Sequence, residues 1–129
     1  MLMNELSLLA LYGLFVALTL VLQSTGVMSQ LGMGYMLSSR DENRTAEGIA
    51  ARLERAERNS VTALALIAPP VLILALRDNF SAQSLMCMQV FLAARLVYLP
   101  AYAFGIRGLR SLAWLAGFTV TLLLYLLAL

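Results

Sequence analysis

Two groups of polar residues have the spacing of single helix faces and could together bind an anion. Arg95, Tyr98 and Tyr102 occupy positions i, i+3 and i+7, which a helix places on one face. A similar spacing on an earlier helix joins three more residues: Arg55, Asn59 and Thr62. If the two faces meet, with Arg107 or Arg110 beside them, the result is a cationic pocket lined by tyrosines.

The residue types exclude several kinds of catalytic site. The sequence contains no His and a single Cys, so a zinc site of familiar ligand spacing is excluded, as are Ser-His-Asp and Cys-His nucleophilic arrangements. Gly32-Met33-Gly34 is too short for a glycine-rich phosphate loop. We therefore expect no metal site, and the arginines and tyrosines remain as the residues able to do chemistry.

The elements that position these residues are predicted to be transmembrane helices. Hydrophobic residues make up 61% of the chain and charged residues 12%, against roughly 45–50% and ~25% in soluble domains. About 20 helical residues cross a hydrocarbon core of roughly 30 Å. The long uncharged runs predict four spans, near residues 4–24, 59–77, 82–104 and 110–129. The expected fold is all-α, a four-helix transmembrane bundle formed as one domain by residues 1–129.

The ends of the first two spans carry further predictions. The first has Glu5 rather than basic residues ahead of it and no convincing cleavage site after it, so we interpret it as a retained helix and not a signal peptide. Nothing separates the polar stretch before Asn59 from the apolar run after it. The second helix should therefore begin near Glu47, and Pro69-Pro70 should kink it about midway.

The arginines predict the orientation of the chain. All nine basic residues are Arg, and seven stand in the loops after the first and third spans or at the adjoining helix ends. These are Arg40, Arg44, Arg52, Arg55, Arg58, Arg107 and Arg110. Because basic loops stay inside, we expect the long first loop in the cytosol and both termini outside it.

Arg95 admits two interpretations. It lies some ten residues inside the third span, where an unpaired Arg costs at least about 2.5–3.5 kcal/mol. Its charge could belong to a ligand pocket. Alternatively, it could pair with Glu54 or Glu57 and only hold helices together. The residue types leave both open.

The sequence resembles the MAPEG family, the membrane-associated proteins in eicosanoid and glutathione metabolism. The stretch Glu54–Asn59 looks like the RAxxN signature of the family, and Ala94–Tyr98 followed by Ala101-Tyr102 matches its third helix. The segment Gly34–Glu42 is similar to bacterial members, which implies a bacterial inner membrane as the location. The order and spacing of these motifs on a four-span chain carry the resemblance.

The resemblance implies a homotrimer with active sites between subunits on the cytosolic side. Catalytic members bind glutathione as co-substrate and act as transferases or peroxidases on lipophilic electrophiles or lipid hydroperoxides. Matched by position, Arg55 and Asn59 would hold the peptide part of glutathione. Three residues of the adjacent helix would contact it: Arg95, Tyr98 and Tyr102. Arg110, or Arg107 in its place, would stabilise the thiolate.

Departures from the family pattern leave more than one function open. Many members carry Glu where this chain has Thr62, and the proline of their second helix falls at Ala65. The alternative is a non-catalytic family member that binds lipid or partners, and a plainer one is a small helical protein whose polar residues serve assembly. The expected partners are membrane lipids, a lipophilic small molecule and further copies of the chain, with no nucleic acid.

Overall fold

All regular structure in the described part of the chain is helical. The computed structural model describes residues 4–38 and 46–129, and the helices are α1 (Glu5–Leu31), α2 (Met33–Leu37), α3 (Gly48–Leu76), α4 (Ala82–Ala103) and α5 (Arg107–Ala128). Four of them, α1, α3, α4 and α5, are long and apolar enough to cross a membrane. The predicted all-α fold with four spans is therefore confirmed.

The first transmembrane helix is longer than its predicted span. α1 begins after Asn4, whose side-chain oxygen accepts the Leu6 N–H at 2.7 Å, and it runs on to Leu31 instead of ending near residue 24. Polar residues do not end the helix because their hydroxyls bond to its own backbone: Thr25 Oγ1, for example, donates to the Val21 carbonyl at 2.9 Å. The helix ends at Gly32, whose φ of 88° favours glycine.

The second transmembrane helix, α3, begins where the sequence predicts. Its first residue is Gly48, directly after Glu47, and Gln30 of α1 holds this start through two hydrogen bonds with the Glu47 backbone. Pro69 and Pro70 both lie inside α3, which continues to Leu76. The two prolines therefore do not end the helix, and Pro70 is fully buried.

The helices pack around an apolar core with one polar end. α1 packs chiefly on α3, α4 packs on α5, and α3 contacts both α4 and α5. Tyr12 and Phe91 meet edge to face in the core, with ring centroids 4.9 Å apart, and Cys87 is buried in the same cluster. α1 and α3 approach closely at Gly26, where an added Cβ would lie 3.4 Å from the Ala50 Cβ.

Hydrogen bonds identify which helix ends lie together. At one end, Arg52 near the start of α3 donates to the carbonyl of Ala103 at the end of α4 at 3.0 Å. At the other end, Ser84 at the start of α4 donates to the carboxylate of Glu5 at 2.7 Å. The arginines of α3 and of the α4–α5 turn thus share one end of the bundle. The predictions for Arg40, Arg44 and most of the first loop fall outside the described residues.

Orientation in the membrane can be tested by labelling single cysteines. In a Cys87→Ala background, we expect a cysteine at Ser39 to react with an impermeant maleimide from the cytosolic side only. A cysteine at Leu129 should react from the opposite side only, because the arginine-rich loops stay inside. Labelling of inverted and right-side-out vesicles measures both. Reaction of the two positions from one side would rule out the four-span arrangement.

Candidate functional site

Arg95 binds neutral groups, not a carboxylate. Its Nη1 donates to Asn59 Oδ1 at 2.9 Å and its Nη2 donates to Ser60 Oγ at 3.0 Å, so α4 is joined to α3. Its guanidinium carbon lies 4.1 Å from the centroid of the Tyr98 ring, a cation–π contact. The side chain is only 3% exposed. The alternative in which Arg95 pairs with Glu54 or Glu57 is wrong.

The two acidic candidates are engaged elsewhere or have no protein partner. Glu54 pairs with Arg58 one turn along the surface of α3, with 2.6 Å between the charged atoms. Glu57 is buried, and its two carboxylate oxygens accept no hydrogen bond from any described residue. No carboxylate therefore neutralises Arg95 by contact within the part of the chain that the structure describes. Its positive charge is available to a bound anion.

Tyr102 of α4 contacts arginines of two other helices. Arg55 of α3 donates from Nε to the Tyr102 hydroxyl oxygen at 3.2 Å. The guanidinium carbon of Arg110, at the start of α5, lies 4.9 Å from the Tyr102 ring centroid. Tyr98 stands one turn earlier on α4, with its ring centroid 5.7 Å from that of Tyr102. The two faces predicted from the sequence do meet, and the chain at the start of α5 meets them as well.

The arginines surround a cavity at this end of the bundle, which we call the cationic chamber. It has a volume of about 290 Å³ and is lined by Arg52, Arg55, Tyr102, Gly105, Arg107 and Arg110. None of its four guanidinium groups forms an ion pair with a carboxylate of the described residues. Such a concentration of unmatched positive charge near a membrane surface attracts and binds anions.

Two further cavities lie among the same helices. The middle chamber, of about 300 Å³, shares Tyr102 and Arg110 with it and adds Tyr98, Ser111 and Trp114. The deep chamber, of about 160 Å³, is lined by residues of α3, α4 and α5 and shares Trp114 with the middle one. Asn59 and Arg95 line this deep chamber, not the cationic one. The residues expected to form a single pocket are thus divided among neighbouring cavities.

A family comparison agrees with this geometry. The model of the MAPEG family matches residues 6–129, nearly the whole chain. This chain belongs to the MAPEG family. Among curated proteins, none matches it. The MAPEG signature residues of α3 have visible structural partners here: Arg55 bonds to Tyr102, and Asn59 bonds to Arg95.

Two residues that line these chambers were not among the sequence candidates. Arg52 lies in the cationic chamber and also binds the end of α4. It precedes Arg55 by three residues, so the i, i+3 rule could have placed it on the same face. Trp114 lies between the middle and deep chambers. Its position four residues after Arg110 was the available signal.

Proposed function

We propose that this MAPEG protein is a glutathione-dependent membrane transferase or peroxidase acting on lipophilic electrophiles or lipid hydroperoxides. The observation that supports it most is the cationic chamber, where four arginines line one cavity with Tyr102 and none of them pairs with a carboxylate of the described residues. Glutathione carries two carboxylates and one ammonium group, so it is an anion, and it gains a second net negative charge when its thiol ionises. The positive charge of the chamber attracts the anionic tripeptide, and it also favours the additional negative charge of the thiolate.

Three arginines have distinct roles in this proposal. Arg55 binds a carboxylate of the tripeptide, since a guanidinium can donate two parallel hydrogen bonds to that group. Arg95 and Asn59 bind its peptide part from deeper in the bundle. Arg110, which lines both the cationic and the middle chamber, stands beside the sulfur and favours the thiolate over the thiol. The thiolate is the nucleophile that attacks the electrophile or the peroxide oxygen.

The proposed assembly is a homotrimer in which a neighbouring subunit covers the site, with the cationic chamber on the cytosolic side. Two features support it. Arg55 and Arg107 are exposed on the protomer, so that a second chain could close the chamber over them. Trp114 and Phe118 of α5 are also exposed at 41% and 36%, which is typical of surfaces that face lipid or a further helix.

Glutathione binding tests the proposal directly. We expect purified protein in detergent to bind glutathione at millimolar or lower concentration, with a rise in thiolate ultraviolet absorbance. Arg55→Ala should weaken binding about ten-fold or more, because a hydrogen-bonded charge contact contributes roughly 1.5–3 kcal/mol. Arg58→Ala is the matched control, since Arg58 is exposed and pairs with Glu54. Absence of binding to the unaltered protein at millimolar glutathione would overturn the proposal.

A second candidate, a non-catalytic protein that binds lipid or a partner, has observations of its own. The Thr62 hydroxyl donates to the Arg58 carbonyl at 3.0 Å, so it does not replace the Glu that many members carry there. In addition, a wholly apolar groove of about 240 Å³ lies between α1 and α4, lined by Leu11, Leu14, Phe15, Leu18, Leu92 and Leu96. Failure to bind glutathione, together with a lipid retained through purification, would favour this function.

A further inference from the structure

Arg52 of α3 binds the end of another helix. Its Nη1 donates to the carbonyl of Ala103, the last residue of α4, at 3.0 Å, and its side chain is half-buried. A cation is favourable at this place because the C-terminal end of a helix carries a partial negative charge. The hydrogen bond has a charged donor, so it is stronger than a bond between neutral groups. Arg52 therefore holds α4 at the residue where the chain leaves the helix.

The backbone at the end of α4 forms a Schellman motif, which Arg52 completes. The Gly105 N–H donates to the Tyr102 carbonyl at 3.1 Å. The Ile106 N–H donates to the Ala101 carbonyl at 2.8 Å. Gly105 has a φ of 72°, the left-handed conformation that this motif uses. These two bonds leave out the last carbonyl of α4, and Arg52 supplies the donor to it.

The same turn fixes the start of α5 and the place of Arg110. It consists of only three residues, 104–106, between the two helices. The Arg110 N–H donates to the Ile106 carbonyl at 3.0 Å, and the Arg110 guanidinium lies over the Tyr102 ring. The side chains of the turn add little packing, since Phe104 and Ile106 are 68% and 49% exposed. A displacement of the turn would therefore move Arg110 relative to Tyr102.

We infer that Arg52 is a positioning residue: by binding the end of α4, it holds the turn that places Arg110 beside the glutathione sulfur. This inference rests on the proposed function, in which Arg110 favours the thiolate. The attraction between a cation and a thiolate weakens as their separation grows. A displacement of about 1 Å in an active site can lower the rate about 100-fold. Arg52 thus acts on the ionisation of the thiol through Arg110.

Two other roles for Arg52 make different predictions. Arg52 also lines the cationic chamber. If it bound a carboxylate of glutathione, its loss would raise KM and leave the pH profile of kcat unchanged. If its charge acted directly on the sulfur, its loss would shift that profile whether or not Arg110 is present. A positioning residue, by contrast, has no further effect once the residue that it positions is gone.

The pH profile of kcat with a thiol-reactive electrophile separates these roles. Arg52→Met keeps an unbranched stem without donor or charge, and we expect it to lower kcat near neutral pH about five-fold or more and to move the rise in kcat to higher pH. Arg52→Lys keeps a charged donor and should recover most of this loss. In an Arg110→Ala background, Arg52→Met should cause no further shift. A further shift there, or a change in KM alone, would overturn the positioning role.

Hydrogen exchange without glutathione tests the hold on the turn itself. We expect Arg52→Met to speed amide exchange in residues 104–110 about ten-fold, the effect of losing a hydrogen bond from a charged donor. Arg52→Lys should restore slow exchange, and unchanged exchange in α1 shows that the variant is folded. The matched control is Arg58→Met, since Arg58 is exposed and pairs with Glu54. Equal exchange in all variants would overturn the inference. Absence of glutathione binding to the unaltered protein would refute the proposed function, and the exchange data would still decide whether Arg52 holds the turn.

Discussion

Replacing Arg110 with alanine is expected to lower glutathione-dependent turnover about ten-fold or more near neutral pH. A cation in contact lowers the pKa of an ionisable thiol by about 1–3 units from the ~8.5 of a free thiol. The thiolate is then abundant at pH 7, and turnover rises with pH through the lowered pKa. Without Arg110 the pKa of the bound thiol returns towards ~8.5, so the rise in turnover moves to higher pH. The pH profile of kcat for a thiol-reactive electrophile measures this.

Arg107 and Arg55 provide the comparisons for this result. Arg110 is the better candidate because it lines two chambers and lies over the Tyr102 ring, whereas Arg107 lines only the cationic chamber and is exposed. Arg55→Ala should raise KM more than it lowers kcat, since a contact to a carboxylate is equal in the ground and transition states. A pH shift in Arg107→Ala but not in Arg110→Ala would assign the thiolate contact to Arg107.

Replacing Glu57 with leucine is expected to stabilise the protein by about 1–3 kcal/mol, the cost of leaving a buried polar group without a hydrogen-bond partner. Glu57 is 4% exposed and neither of its carboxylate oxygens has a donor among the described residues. Leucine has a similar volume and no polar atoms, so the substitution removes this cost without opening a cavity. The midpoint of thermal unfolding in detergent, or of unfolding by a denaturing detergent, reports the change.

The matched control is Glu54→Leu on the same helix. Glu54 pairs with the exposed Arg58, and surface pairs of this kind contribute only about 0–1 kcal/mol. Its loss should leave the unfolding midpoint nearly unchanged. If Glu57→Leu were destabilising, the Glu57 carboxylate would be offsetting the buried charge of Arg95 across the α3–α4 interface, without direct contact.

The four transmembrane helices were predictable because a segment that crosses a bilayer must be a long apolar run. The residues at which the helices end were harder to predict. Length and the absence of charge located all four spans. The predicted end of α1 was several residues too early. The hydroxyls of Thr25 and Ser29 donate to backbone carbonyls of the preceding turn, so these polar residues continue the helix, and the residue types alone do not show this. The start of α3 near Glu47 was predictable because no Pro or Gly lies between Gly48 and the apolar run.

The sequence predicted which site residues share a helix face, but not which residues contact each other across helices. Helical spacing alone put Arg95, Tyr98 and Tyr102 together, and the contacts between these three residues follow that spacing. The partner of Arg95 was not predictable. Whether Asn59 or Glu57 faces α4 depends on the rotation of α3 about its own axis, and packing against α1 and α5 sets that rotation. The division into three chambers likewise depends on side-chain packing.

The burial of Cys87 has a practical consequence for any enzyme that handles electrophiles. It is the only thiol of the chain, it is 4% exposed, and it packs among core side chains of α4 and its neighbours. The folded chain therefore has no accessible thiol that an electrophile could alkylate or that oxidised glutathione could trap as a mixed disulfide. Under the proposed function, thiol consumption in an assay would count glutathione alone, and turnover would not inactivate the protein through its own cysteine.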